Sequence, residues 1–163
     1  MLGLKPLAVE GGFYAEAYRS NEKLAAACLP ARYSAERCFG TAIYFLLTPE
    51  TFSALHRLKS DEVYHFYLGD PIETLVLRGG GAGEVLVLGS DLYRGERPQA
   101  VIPAGAWQGS RLRAGGKFAL LGTTVAPGFE FSDFELGSRE FLLAKYPDFS
   151  ELIRELTRPA EGD

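Results

Sequence analysis

The residues from Phe52 to Gly69 constrain this chain most. Both histidines of the protein, His56 and His65, lie there, with Glu62 between them in an otherwise apolar run. Two strand-like stretches, Phe52–Leu58 and Glu62–Leu68, are joined by the polar turn Lys59-Ser60-Asp61. Buried polar groups cost free energy unless they find partners. A chain that places its only imidazoles and a carboxylate on neighbouring strands is expected to use them.

The rest of the chain extends the same pattern. Phe13–Arg19, Thr41–Leu47, Ile72–Arg78, Glu84–Leu88, Gln99–Ile102, Trp107–Leu112, Lys117–Val125 and Phe129–Glu135 are short, rich in β-branched and aromatic residues, and bounded by Gly or Pro. With the two strands above they make about ten, at the spacing of an all-β sandwich or barrel. Met1–Val9 reads as irregular and Ser20–Phe39 as a long loop. The period changes only at the end. Phe149, Leu152, Ile153 and Leu156 make one apolar helical face, with Asp148 and Glu151 as a capping pair and Pro159 as a stop. A shorter helix is expected over Arg139–Tyr146, capped by Ser138. No composition shift marks a domain boundary, so residues 1–163 read as one domain, a barrel with a C-terminal α-helix packed outside.

Bulk composition excludes several classes. The 163 residues are 47% hydrophobic and 23% charged, as in ordinary globular proteins. A net charge of −4 gives no electrostatic case for nucleic acid or an anionic membrane surface. No apolar run approaches the ~20 residues of a spanning helix, and no signal-peptide core opens the chain, so a cytoplasmic location is expected. Cys28 and Cys38 then read as reduced thiols. Gly79–Gly83 joins two strands as a hairpin loop and lacks the Gly-Lys-[Ser/Thr] and following helix of a phosphate loop. No Gly-x-Ser-x-Gly is present.

Side chains alternate along strands. His56 is expected to share a face with Phe52, Ala54 and Leu58, and Glu62 with Tyr64, Phe66 and Leu68. Val63, His65 and Tyr67 make the opposite face, which is also apolar. Something must cover it, either the C-terminal helix or a second subunit, and a homodimer through this sheet is the expectation. His65 reads as an interface or structural residue.

At these residues the sequence resembles a cupin. The first cupin motif runs His-x-His, three or four residues, Glu, six residues, Gly. Here His56, Glu62 and Gly69 keep that spacing, with Leu58 in place of the second His. The second motif, Pro-x-Gly-x-x-His, corresponds to Pro103-Ala104-Gly105-Ala106-Trp107-Gln108, with Gln in place of His. More specifically the chain is similar to a family of small single-domain cupins of unknown function, through Glu10-Gly11-Gly12-Phe13-Tyr14, Tyr18-Arg19-Ser20, Ser60-Asp61-Glu62 and Ala126-Pro127-Gly128-Phe129 among other phrases. That family usually has His-Pro before Glu-Gly-Gly, where this chain has Ala8-Val9. The resemblance implies a cupin-type double-stranded β-helix, a jelly-roll barrel.

Three readings of the site follow. The resemblance implies a metal held by His56, Glu62 and Gln108, a set that would bind Mn, Fe, Zn or Ni only loosely. The resemblance to sugar-nucleotide epimerases implies a metal-free isomerase, in which His56 takes a proton next to a carbonyl, Glu62 or Asp133 orients it, and Tyr64 or Tyr14 is the acid. A small-molecule binding barrel needs neither, with Tyr14, Phe39, Tyr64, Phe66 and Trp107 as walls and Arg19, Arg57, Glu62 and Gln108 orienting a polar ligand, sugar-like or sugar-nucleotide-like.

Overall fold

The computed structural model describes residues 2–159; Met1 and residues 160–163, the ends of the expected domain, lie outside them. In chain order the strands are β1 (Lys5–Pro6), β2 (Phe13–Arg19), β3 (Lys23–Leu24), β4 (Arg37–Cys38), β5 (Thr41–Leu47), β6 (Phe52–Leu58) and β7 (Asp61–Gly69). They continue with β8 (Ile72–Leu77), β9 (Gly83–Leu88), β10 (Gln99–Ile102), β11 (Trp107–Leu112), β12 (Ala119–Ala126) and β13 (Phe134–Leu136), and the helices α1 (Arg139–Lys145) and α2 (Ser150–Glu155) close the chain. One sheet has the order β1-β2-β5-β12-β7-β10 and faces a second, β13-β6-β11-β8-β9. No helix among the described residues is long and apolar enough to cross a membrane.

Several sequence expectations need correction. Residues 129–135 do not form one strand. Phe131–Asp133 is a turn of 3-10 helix and only Phe134–Leu136 pairs. The cause is Asp133, whose buried carboxylate takes a two-pronged hydrogen bond from Arg37 of β4 (2.7 and 2.6 Å) and bends the chain toward it. The same pair gives structure to the expected loop 20–39, which contains β3 and β4. Helix α2 has no side-chain cap from Asp148, because it grows out of the 3-10 turn Pro147–Phe149 and has no free first turn. It ends before Pro159. Helix α1 is capped by Ser138, whose Oγ accepts from the Phe141 N–H at 3.3 Å. Cys28 is exposed and Cys38 buried, both as free thiols.

A larger correction concerns β6 and β7. The turn between them carries the chain from one sheet to the other, so they do not pair as a hairpin, and His56 and Glu62 face each other across the barrel. Strand β6 also carries a bulge. Gln108 of β11 pairs with His56 and Ser110 with Ser53, so Ala54 and Leu55 together oppose Gly109. The extra residue turns Ser53 and His56 to the same, inner side and leaves Phe52 outside. Phe52 accordingly packs with Leu55 against the helices, not beside His56.

The barrel interior has two unlike ends. At one, Phe45, Leu47, Ile72, Leu88, Ile102 and Leu121 from both sheets close a solid core. Burying each such side chain stabilises the fold by about 2 kcal/mol. A second cluster lies outside, where Leu142, Ile153 and Leu156 of the helical segment cover Leu55, Leu75, Leu77 and Trp107. The helices therefore shield the five-stranded sheet and leave the outer face of the six-stranded sheet without a helical cover.

The bulge requires a residue without a side chain opposite it. A Cβ at Gly109 would stand 3.1 Å from the Leu55 nitrogen and 3.1 Å from the Ser53 carbonyl oxygen. Gly109→Ala is expected to cost about 1–3 kcal/mol in urea unfolding, and an unchanged midpoint would show that the bulge is not held this tightly.

Candidate functional site

The second end of the barrel is open. A cavity of about 250 Å³ lies between the sheets there, walled by Leu7, Ile43, Leu58, Val125 and Phe134. His56 and Glu62 enter it from opposite sheets. The inward alternation of β5 supplies Thr41 and Ile43, and that of β12 supplies Thr123 and Val125.

His56 is 2% exposed, and its ring stacks on Phe134 at a centroid distance of 4.9 Å. Its Nδ1 lies 2.8 Å from the Ala54 carbonyl oxygen. A carbonyl only accepts, so Nδ1 carries the hydrogen, and in the neutral ring Nε2 keeps a lone pair. No protein hydrogen bond occupies Nε2 among the described residues. The bulge makes this arrangement, because it withdraws the Ala54 carbonyl from the strand ladder.

Glu62 is buried and accepts a 2.6 Å hydrogen bond from Gln108 Nε2 across the barrel. Burial pushes its carboxyl above the usual carboxylate range. The nearby His56 opposes that rise, Glu10 adds to it, and Thr123 and Gln108 favour the ionised form. Glu10 is held by its side chain, which accepts from Ser53 Oγ at 2.5 Å, and by its backbone carbonyl, which accepts from the Ala54 N–H at 2.9 Å. Arg19 crosses the cavity mouth, donating to Glu16 and Glu130 at 2.9 Å each.

The expected site residues separate into two groups. Tyr14, Arg19, His56 and Glu62 line the cavity, with Gln108 bonded behind Glu62. Tyr64, Phe66, Trp107 and Asp133 do not line it. Tyr64 is buried in the solid core, where desolvation, reinforced by Glu62, raises its phenol well above the usual range and Ser110 lies beside it. Phe66 packs against that same core. Trp107 points the opposite way from Gln108, under the helices, with the Arg57 guanidinium 4.5 Å from its ring. Asp133 is committed to Arg37. Phe39 is exposed elsewhere.

Sequence reasoning missed Glu10, Lys5, Thr123, Glu130 and Phe134 as cavity residues. Glu10 precedes a glycine turn in a stretch that carries no periodicity, and only the fold brings it over the barrel mouth. For Thr123 the signal was present: it alternates with the core residue Leu121 on β12.

The donor set can be tested against a cupin metal centre of three His and one Glu. Leu58 lines the cavity where a second His would stand, and it offers no donor. Gln108 presents its amide nitrogen to Glu62, and its buried Oε1 has no partner. No group of three His, Cys, Asp or Glu converges anywhere among the described residues. The residues do not fit such a centre, so the expected metal set of His56, Glu62 and Gln108 lacks the donors it needs.

Comparison with known proteins agrees with the fold. The family model described as "Cupin superfamily (DUF985)" matches residues 1–137. The chain is 40% identical to a protein of Shewanella oneidensis solved by a structural genomics consortium, covering 98% of this chain and 94% of that one with a TM-score of 0.85. It is 33% identical to a hypothetical protein from Leishmania major, covering 97% and 95% with a TM-score of 0.84. An oxalate decarboxylase variant of Bacillus subtilis shares 16% identity and a TM-score of 0.54 over 93% of this chain and 37% of that one, a likeness of fold alone. No curated protein matches the chain.

Proposed function

The chain belongs to the DUF985 family of the cupin superfamily, and on that premise we propose that its barrel cavity binds a small polar molecule and moves a proton on it without a metal. The single observation that carries this reading is the His56 imidazole. It is buried, its tautomer is set by the Ala54 carbonyl, and its Nε2 lone pair is free in the cavity opposite a carboxyl whose ionisation burial disfavours. A base and an acid with environments pushed apart are what isomerisation next to a carbonyl requires.

In this reading Nε2 of His56 takes a proton from carbon beside the carbonyl. The electron pair moves to the carbonyl oxygen, which Glu62 in its protonated form supports by donating a hydrogen bond. Return of that proton by His56 to the neighbouring carbon completes an isomerisation, while delivery of a second proton by Tyr14 to the other face of the same carbon completes an epimerisation, and no redox partner is needed. Tyr14 is the phenol within the cavity that remains as an alternative acid. A barrel that only binds shares this cavity and differs in lacking turnover. Hydrogen exchange distinguishes the two. Sugar-like carbonyl compounds incubated in D₂O are expected to gain deuterium beside the carbonyl, and His56→Gln is expected to slow that gain by about 10²–10⁴-fold. A variant that exchanges as fast as the parent on the same compound would exclude His56 as the base.

We also infer a homodimer through the six-stranded sheet. Its outward residues run across β2, β5, β12, β7 and β10: Ala15 and Tyr44, Gly122 beside His65, Leu46 with Leu120 and Leu68, and Val63 with Val101. Among the outward positions on these strands Asp61, at the start of β7, is the one Asp, Glu, Lys or Arg, and its carboxylate accepts from the Ala104 N–H at 2.7 Å, while Tyr67, Leu68 and Val101 are each at least 50% exposed. A charged partner would have to desolvate its charges here without compensation. A second copy of the same face, apolar apart from Asp61 at its edge, supplies the match by symmetry. His65, hydrogen-bonded to Thr124 and Gln99, then sits inside the interface. Light scattering at micromolar concentration is expected to give the mass of a dimer, and Val101→Glu, at an exposed position, that of a folded monomer. A monomer in the parent would end this assignment.

A further inference from the structure

The charges around the cavity are unevenly matched. Four carboxylates, Glu10, Glu16, Glu62 and Glu130, line it with two cations, Lys5 and Arg19. Arg19 is already committed, with a two-pronged contact to Glu16, a 2.9 Å contact to Glu130 and a 3.2 Å hydrogen bond to the Phe129 carbonyl. Lys5 stands at the exposed rim with its Nζ 5.1 Å from the Tyr14 ring centre. Glu10 and Glu62 are left with neutral donors only, the Ser53 hydroxyl on one and the Gln108 amide and Thr123 hydroxyl on the other, and with no ion-pair partner among the described residues. The Glu10 carboxylate adds to the burial that makes ionisation of Glu62 harder. Beside them His56, nine-tenths buried and more, aims an unpartnered Nε2 into the same space and in its neutral form supplies no charge.

We propose that the molecule this cavity takes carries a protonated amine, paired with the Glu10 carboxylate, with its carbon body against the Ile43, Val125 and Phe134 wall. The assignment rests on the reading of this cavity as the binding site and names the chemistry of what enters it. An ammonium provides the missing countercharge where water is scarce and the attraction is strong. Its N–H donors suit a carboxylate that holds only a neutral donor. The same balance works against a phosphate or nucleotide arm. Arg19 is paired, and both helices pack on the far sheet, so no helix N-terminus faces the cavity.

Benzylamine, benzyl alcohol and benzoate share one ring and differ in charge, and each is titrated calorimetrically into the full chain at pH 8. Benzylamine is expected to bind at least about tenfold more tightly than the other two. Glu10→Gln, which keeps the acceptor for Ser53, is expected to remove most of that preference and to leave benzyl alcohol binding as it was. Equal or tighter binding of benzyl alcohol or benzoate overturns the ammonium assignment and leaves the cavity a binding site. No binding of any of the three overturns the cavity reading itself, and the assignment with it.

Discussion

Two residues of β6 opposing one of β11 hold this molecule together. The bulge at Ala54-Leu55 takes four backbone groups out of the strand ladder, and each is used elsewhere. The Ala54 N–H donates to Glu10 and the Leu55 N–H to Leu156, while the Leu55 carbonyl accepts from Gly137 and the Ala54 carbonyl from the His56 ring. One irregularity thus ties down the N-terminal segment, the end of the helical cover and the catalytic candidate. Buried backbone groups must be satisfied, so the three attachments and the bulge require one another. Gly109 opposite, and Gly11 in the segment that Glu10 leads, are where a side chain would collide; a Cβ on Gly11 would run into the Phe52 carbonyl.

The bulge also decides the chemistry. Because His56 reaches across the barrel toward Glu62 from the other sheet, the two are neighbours by closure of the barrel and not by strand pairing. The solid core at one end excludes water and sets the floor of the cavity. Two buried hydroxyls between β8 and β11 satisfy each other, with Thr74 Oγ1 2.9 Å from Ser110 Oγ. The absence of a second and third imidazole leaves His56 with its lone pair unspent. What remains of the cupin ligand pattern is His56 and Glu62, the pair proposed above as base and acid, with Glu10 of the N-terminal segment lining the same cavity.

Much of this was legible in the residues. β5, β6, β10 and β11 form with the bounds that apolar runs and flanking Gly or Pro implied, because local composition and burial agree there. Motif spacing singled out His56, Glu62 and Gln108, and the fold sets Gln108 opposite His56 in the ladder and bonds it to Glu62. Trp107 was misplaced because motif order says which residue is delivered to a site but not to which face, and parity puts Gln108 and Trp107 on opposite sides. Phe52 was misplaced because a bulge leaves no trace in the hydrophobic period. Asp133 was assigned to the site when its charge is answered by Arg37, far away in a loop with no regular pattern. Glu10 was overlooked because its position depends on backbone contacts made only in the folded chain.

The state of the His56 ring tests the account most directly. A long-range ¹H–¹⁵N spectrum at pH 8 reports which ring nitrogen carries the hydrogen, and with only two histidines in the chain a His65→Asn variant assigns the signals. The account predicts a protonated Nδ1 and a bare Nε2 for His56. A hydrogen on Nε2 would contradict it, since the Ala54 carbonyl would then hold no ring hydrogen and the cavity would contain no base.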